Sequence, residues 1–352
     1  MKIGIIGMPQ SGKSTLFRLL TNAQPGLGQK AAIAVGKVPD QRIDRLAEIF
    51  KPRKVTYAVI DFVDVPGFVT GQGKQSSEFF NAVRDVDALV LVVRAFESDS
   101  VPAIDGIQPA VDFTSIQQEL LIADWSVLEN RMERAAKQRM KNPAVEEELA
   151  VLEKCKATLE QDLPLRQLSL DEEEEKLIQG FDFLTKKPLI VVVNADEEQM
   201  RSNSYPQKSD LEEDLAQKGI PSLVISSQIE AEISELDADD AALFMEELGI
   251  SEPGIARLAR AVYGYLGLIS FFTAGEGEVR AWTIKDGYTA KKAAGKIHSD
   301  IERGFIRAEV VGYEEFIEHG SMQKLKEKGL FRLEGKDYIV KGGDIITFRF
   351  NV

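Results

Sequence analysis

Short apolar runs recur along the first 266 residues, and segments with helical periodicity lie between them. Lys2–Gly7, Val55–Val63, Ala88–Val93 (ALVLVV), Pro188–Asn194 (PLIVVVN) and Ser222–Ser226 (SLVIS) read as strands. Unbroken runs of this kind suit the middle of a parallel sheet, where both faces are covered. Ser14–Leu20 places Leu16, Phe17 and Leu20 on one helical face, and Asp40–Phe50 does the same with Ile43, Leu46, Ala47 and Phe50. Ser77–Val83, 229–248 with a break, and 253–266 also read as helices. Ser169 with Glu172 and Ser209 with Glu212 read as capping boxes that open two more. Strand–helix alternation over this length predicts a doubly wound α/β domain with a mainly parallel sheet.

Two stretches break the alternation. In 113–163, Ile116, Leu120, Leu121, Leu128 and Met132 recur at helical spacing. After Asn142-Pro143, the residues Val145, Leu149, Leu152, Leu159 and Leu163 resume it. That pattern predicts two long antiparallel helices, an inserted hairpin or coiled coil. Past Leu266 come short alternating segments: Leu268–Thr273, Glu278–Ile284, Phe305–Val311, Leu330–Leu333, Tyr338–Val340 and Ile345–Phe350. One helix, Thr289–Ile297, lies among them, and the mixture predicts a small α+β domain. The expected organisation is a nucleotide domain over 1–112 and 169–266, a helical insertion over 113–168, and a C-terminal domain over 267–352.

Composition narrows the choice of partners. The chain of 352 residues carries a net charge of −14, so nucleic-acid binding requires a local basic patch. Arg131, Arg134, Lys137, Arg139 and Lys141, near the expected hairpin tip, are opposed only by Glu133. They read as a solvated helix face or a docking patch for RNA or a ribosome. Over 268–352 there are 14 basic and 13 acidic residues, so the excess acid lies elsewhere. The single cysteine, Cys155, excludes an internal disulfide and reads as a passive helix residue. No 18-residue apolar run and no signal-peptide pattern is present, which gives a cytoplasmic expectation. His298 and His319 form no zinc-type cluster, and Phe271, Phe272 and Trp282 read as core of the last domain.

The chemistry starts at residue 7. Gly7-Met8-Pro9-Gln10-Ser11-Gly12-Lys13-Ser14 fits G-x-x-x-x-G-K-[ST] between a strand and a helix. The glycines let backbone N–H groups surround phosphate oxygens at a helix N-terminus. Gly7, Pro9, Gln10, Ser11, Gly12, Lys13, Ser14 and Thr15 are therefore the expected phosphate cradle. Lys13 reaches the β- and γ-phosphates, and the Ser14 hydroxyl suits Mg²⁺. Asp64-Val65-Pro66-Gly67 ends an apolar strand, so Asp64 can hold the metal through water and the Gly67 N–H can sense the γ-phosphate. Asn194-Ala195-Asp196-Glu197 stands where a G-protein carries N-K-x-D. Asn194 and Glu197 are the expected base readers, and the longer Glu197 side chain weakens or reverses guanine preference. Ser226, Ser227 and Gln228 follow the next strand, where a loop would close over the base.

This set of motifs resembles the YchF family (also called EngD), Obg-related P-loop proteins of the TRAFAC class. The resembling stretches are 7–17, 38–55 (VPDQRIDRLAEIFKPRKV), 62–69 (FVDVPGFV), 86–97 (VDALVLVVRAFE), 119–134, 194–197 and 278–352. The resemblance implies a TGS domain of β-grasp shape at the C-terminus. It also implies Mg²⁺, ATP favoured over GTP through N-x-x-E, slow hydrolysis, and association with ribosomes or ribosomal RNA. Gln10 and the stretch Gln29–Ala34 depart from the family pattern. Gln10 replaces a common Asn, which leaves K⁺ dependence open. Gln29–Ala34 lacks the threonine of the first switch, which predicts weaker coupling between nucleotide and loop order. Phe68 stands where Ras-like proteins carry a water-orienting glutamine, and this one matches the family. The expectation is a slow Mg²⁺-dependent P-loop NTPase acting as a ribosome- or RNA-associated switch. The alternative is a nucleotide-binding scaffold with negligible hydrolysis, and a kinase is a weak third.

Overall fold

A computed structural model describes every residue except 24–31, 69–72, 100, 104–105, 139–143 and 352. The loop at Gln24–Gly28, the switch positions Gln29–Ala31, the basic residues Arg139 and Lys141, and the Asn142-Pro143 break lie outside the described residues.

In chain order the first elements are β1 (Lys2–Ile6), α1 (Lys13–Thr21), β2 (Ala32–Lys37), α2 (Gln41–Phe50), β3 (Val55–Thr56), β4 (Val59–Asp64), α3 (Gly73–Arg84) and β5 (Ala88–Arg94). Then come α4 (Pro109–Gln138), α5 (Ala144–Leu159), α6 (Glu172–Ile178), β6 (Leu189–Asn194), α7 (Glu197–Ser202), α8 (Lys208–Gln217) and β7 (Ser222–Ile225). The rest are α9 (Ser227–Glu235), α10 (Ala238–Glu247), α11 (Gly254–Tyr265), β8 (Leu268–Ala274), β9 (Val279–Lys285), α12 (Ala290–Ile297), α13 (Ser299–Arg303), β10 (Phe305–Gly312), α14 (Tyr313–His319), α15 (Met322–Glu327), β11 (Arg332–Glu334) and β12 (Asp344–Phe350). The chain divides into two compact units: 1–35 with 61–255, and 36–60 with 256–352.

The first unit is the doubly wound α/β fold. Its sheet runs β2-β4-β1-β5-β6-β7, and β4-β1, β1-β5, β5-β6 and β6-β7 are parallel pairs. All residues of β5 and β6 are buried, as their unbroken apolar runs require. The inserted helices α4 and α5 share a small core of Leu128, Val151, Leu152, Cys155 and Leu159. Burial there pushes the Cys155 thiol up to about 11, in keeping with a passive cysteine. Arg131 pairs with Glu148 across the hairpin and lies 5.4 Å from the Phe181 ring. It belongs to the hairpin's own structure, which leaves Arg134 and Lys137 of the basic run among the described residues.

A buried clamp fastens α4 to the segment before β6. The Asp124 carboxylate accepts hydrogen bonds from Leu184 N, Thr185 N and Thr185 Oγ1, each at 2.7 Å. Arg166 donates to Gln117 Oε1 (2.6 Å) and to the carbonyls of Thr185 and Lys187. Replacing Asp124 with alanine leaves two buried N–H groups without acceptors, at about 1–3 kcal/mol each. Asp124→Ala is expected to lower the unfolding free energy by about 3 kcal/mol, read as a fall in urea midpoint.

The second unit is the C-terminal α+β fold, of β-grasp, TGS-like type. Its sheet runs β11-β10-β12-β8-β9-β3, with β12 parallel to β8 and β3 parallel to β9. Phe271, Ala290, Ala293, Ala294, Val310 and Ile346 form its core, and Trp282 packs against them. The stretch 36–60 supplies this unit with α2 and β3. Val55 and Thr56 register with Val279 and Arg280, Phe50 stacks on Phe316 at 5.2 Å, and Arg42 sits 5.2 Å over Phe272. His298 caps α13, its Nδ1 accepting from Asp300 N at 3.2 Å.

Four local expectations change. Val55–Val63 is two strands in two sheets, β3 and β4. The residue before α6 is Asp171, not Ser169: its carboxylate accepts from Glu173 N and Glu174 N, and Glu174 returns the bond to Asp171 N. Helix α8 starts at Lys208, so Ser209 is already helical; Gln207 is the cap position, in left-handed conformation. Tyr338–Val340 forms only an isolated bridge, Ile339 to Thr289. No helix among the described residues is long and apolar enough to cross a membrane.

Candidate functional site

Strand β1 is buried from Ile3 onward, and the loop 7–12 delivers the chain from it into α1. Gly7 and Gly12 are required there. A side-chain carbon at Gly7 would lie 2.3 Å from Val92 O. One at Gly12, where φ is +93°, would lie 2.2 Å from Asn194 Nδ2. Gln10 is also left-handed, at φ +64°. The backbone conformation of the loop is thus fixed at three positions, Gly7, Gln10 and Gly12.

Lys13, the first residue of α1, is only 7% exposed. Its Nζ donates to Met8 O at 2.7 Å, across the loop. Burial lowers its pKa to about 8, while the charge of Asp64 acts the other way. Ser14 Oγ donates to Asp64 Oδ2 at 2.9 Å. Burial raises the Asp64 carboxyl, and Ser14 and Lys13 partly hold it down. Gly67 lies against the same loop: a side-chain carbon there would be 3.3 Å from Lys13 Nζ and 3.4 Å from Pro9. Phe68 N donates to Gly7 O at 3.2 Å, while its ring is buried against Phe79 at 5.1 Å.

Asn194, at the end of β6, staples the site together. Its Nδ2 donates to Ser11 O and its Oδ1 accepts from Ser227 N, both at 3.0 Å. Both amide atoms thus bind backbone. Ser226 caps α9, its Oγ accepting from Ile229 N at 3.4 Å. Gly12, Thr15, Asn194, Ser227 and Gln228 line a cleft of about 210 Å³ together with Ala195, Asp196, Phe96, Glu97 and Ser98. Glu197 is not among its lining residues. It opens α7, is 53% exposed and pairs with Arg201 at 2.8 Å, beside a larger cleft shared with Ser226, Gln228 and Glu97. Sequence reasoning gave no role to Phe96–Ser98, although the run directly follows the ALVLVV strand. The carboxyl end of a central parallel strand is where ligands of such sheets bind.

The residues fit a nucleotide phosphate chain. Side-chain carbons at Gly7 and Gly12 are excluded by close contacts, Lys13 provides a buried cation, and Ser11 Oγ and Ser227 Oγ are buried without a hydrogen-bond partner among the described residues. Ser14 Oγ and Asp64 together make an oxygen donor set of the kind Mg²⁺ prefers. Phosphate near Lys13 raises its pKa again. Nucleotide binding at pH 8 is therefore expected to take up about half a proton, and almost none at pH 6.5, where Lys13 is already charged. Affinity falls as pH rises above 8. Calorimetric titration in buffers of different ionisation enthalpy reads the uptake directly.

A parallel sheet whose strand ends carry this cradle, buried lysine and Ser–Asp pair defines a P-loop nucleotide-binding protein. A family model described as "50S ribosome-binding GTPase" matches residues 2–124. A second, YchF-GTPase_C, described as a protein of unknown function, matches 268–351. Bacillus subtilis "Ribosome-binding ATPase YchF" is 40% identical over 363 aligned residues, with 99% of each chain covered. The Haemophilus influenzae protein of the same name is 42% identical, covering 100% of this chain and 99% of its own. The structure of the Schizosaccharomyces pombe YchF GTPase matches with a TM-score of 0.90 at 30% identity, over 99% of this chain and 97% of that one. The chain belongs to the YchF family.

Proposed function

We propose that the protein is a slow, Mg²⁺-dependent P-loop NTPase that favours ATP over GTP and serves as a ribosome-associated switch in the cytoplasm. The buried Lys13 beside the Ser14–Asp64 pair carries this reading. Lys13 neutralises charge on the β- and γ-phosphates, and Ser14 and Asp64 hold the metal. Mg²⁺, when bound, supplies charge neutralisation at the phosphate oxygens. Gly67 lies beside Lys13 and Pro9, where its N–H would sense the γ-phosphate. Slow turnover follows from Phe68, whose ring is committed to the core and cannot orient water. Water positioning of this kind is worth orders of magnitude in rate.

Asn194 acts as a staple between the phosphate loop and the 226–228 loop rather than by reading a base edge. Glu197, paired with Arg201, does not reproduce the guanine-binding carboxylate of N-K-x-D, which supports ATP. The relatives' names divide on this point, ATPase for the bacterial proteins and GTPase for the yeast structure. Ribosome association rests on the bacterial relatives' names. The test is calorimetry with non-hydrolysable ATP and GTP analogues and Mg²⁺, in parallel. The ATP analogue is expected to bind at least about ten-fold more tightly, a difference of about 1.4 kcal/mol. Equal or tighter GTP binding overturns the base assignment. The burial of Phe68 also favours a second reading, a scaffold with negligible hydrolysis. Single-turnover product no greater than that of Lys13→Ala would establish it.

A further inference from the structure

Arg94 ends β5 and is only 7% exposed, an expensive place for a guanidinium. Its Nε donates to Phe96 O at 3.2 Å and its Nη2 to Val101 O at 2.5 Å. The guanidinium carbon lies 4.5 Å from the centre of the Phe96 ring. One cation therefore binds the carbonyls of Phe96 and Val101 and lies over the Phe96 ring. The opposite side of this turn is fixed too. Ala95 N and Phe96 N both donate to Asn194 O, at 2.9 and 3.1 Å, and Gln199 Nε2 donates to Ala95 O at 2.7 Å. Phe96 lines the cleft that also holds Gly12 and Asn194. Phe96 is half-buried, and the part of it that lines the cleft is open to a ligand. A flat heteroaromatic ring suits such a surface, and a cation behind the stack strengthens it.

We propose that Arg94 is a positioning residue for the nucleobase: it sets the Phe96 ring as the wall of the cleft against which the base stacks, and it makes no contact with the phosphates. The inference rests on the reading above that this cleft takes the base of a nucleotide. The base readers expected from the sequence are Asn194 and Glu197, with Ser226, Ser227 and Gln228 closing over the base; Arg94 acts beside them, through Phe96.

The experiment separates base from phosphate. The full chain and its Arg94→Met, Arg94→Lys and Phe96→Ala variants are titrated with a non-hydrolysable ATP analogue and, separately, with inorganic tripolyphosphate, both with Mg²⁺. Arg94→Met is expected to weaken the analogue by up to about ten-fold, the cost of ordering a Phe96 ring that is no longer held in place, and to leave tripolyphosphate within two-fold. Arg94→Lys keeps a charge but loses the planar stack and the paired donors, so it is expected to weaken the analogue about three-fold. It supplies the reading if the methionine variant does not fold. Unchanged analogue binding in both variants overturns the proposal, and so does parallel loss of analogue and tripolyphosphate, which a merely structural arginine would give. Phe96→Ala tests the underlying reading on its own. If it leaves the analogue's advantage over tripolyphosphate intact, the base does not lie on Phe96. If it removes that advantage while the Arg94 variants do not, only the positioning role fails.

Discussion

Lys13→Ala is expected to abolish measurable nucleotide hydrolysis and to weaken Mg²⁺–nucleotide binding by at least about 10²-fold, while leaving the fold at least as stable as before. Its two halves have different causes. Lys13 is the buried cation in the phosphate loop, with its ammonium held by Met8 O at 2.7 Å. Removing one preorganised charged donor from a water-poor site costs about 10²–10³ in rate. The same burial lowers the Lys13 pKa to about 8, so at pH 7 the folded chain carries a charge that it would hold more easily unfolded. For a depressed lysine that destabilisation is complete below the folded pKa and disappears as pH rises towards the unfolded value. Alanine removes it at neutral pH. A thermal midpoint that does not fall, with binding lost, therefore identifies the residue as functional and not structural. Unchanged binding and single-turnover product would remove Lys13 from the mechanism.

The legible parts of this chain were those in which one local pattern carries one meaning. The glycines at 7 and 12 and Lys13 sit where their spacing places them, because the geometry of such a loop is dictated by backbone conformation within eight residues. The apolar runs of β5 and β6 predict full burial and have it. Glu197 was harder to read. Its position after a strand marks a base-reading motif, yet Asp196 caps α7 and Gln199 closes the capping box. That arrangement aims Glu197 along the helix towards Arg201. Arg94 was silent because a strand-end arginine has no periodic or motif signature; only its carbonyl partners and the Phe96 ring give it a role. Strand β2 escaped notice because Ala32-Ile33-Ala34-Val35 alternates between two apolar residue types and has exposed Ile33 and Val35. An edge strand of that kind lacks the polar alternation that marks a half-buried strand.

The run Val55–Val63 divides between β3 and β4. It reads as one strand and serves two sheets, so the C-terminal fold is completed by residues more than 200 positions upstream. Residues 268–352 alone, within which the YchF-GTPase_C model matches 268–351, are therefore expected not to unfold cooperatively. Without 36–60 the segment loses Ile43 and Leu46, both fully buried. Burial of side chains of this size is worth about 1.5–3 kcal/mol each. It also loses the stack of Phe50 on Phe316 and the cover of Arg42 over Phe272. Strand β3 goes as well, with the bond from Thr56 Oγ1 to Glu278 Oε1 at 2.5 Å and that from Val279 N to Lys54 O at 3.0 Å. Without 256–267 it loses Tyr263, whose hydroxyl meets Ile269 O and Ser270 Oγ. Together these approach the whole stability of a small domain, about 5–15 kcal/mol. The expected result for the isolated segment is a broad, non-cooperative melt with exposed Phe272 and Phe316. Adding a peptide of residues 36–60 to a 256–352 segment is expected to restore a cooperative transition. A sharp melt of 268–352 by itself would show that α2 and β3 decorate the unit without completing it. If the complementation holds, the link to function is covalent. The completing segment runs from β2 to β4, and β4 ends at Asp64, so one continuous stretch of chain serves the C-terminal core and then reaches the carboxylate that meets Ser14 beside the phosphate loop.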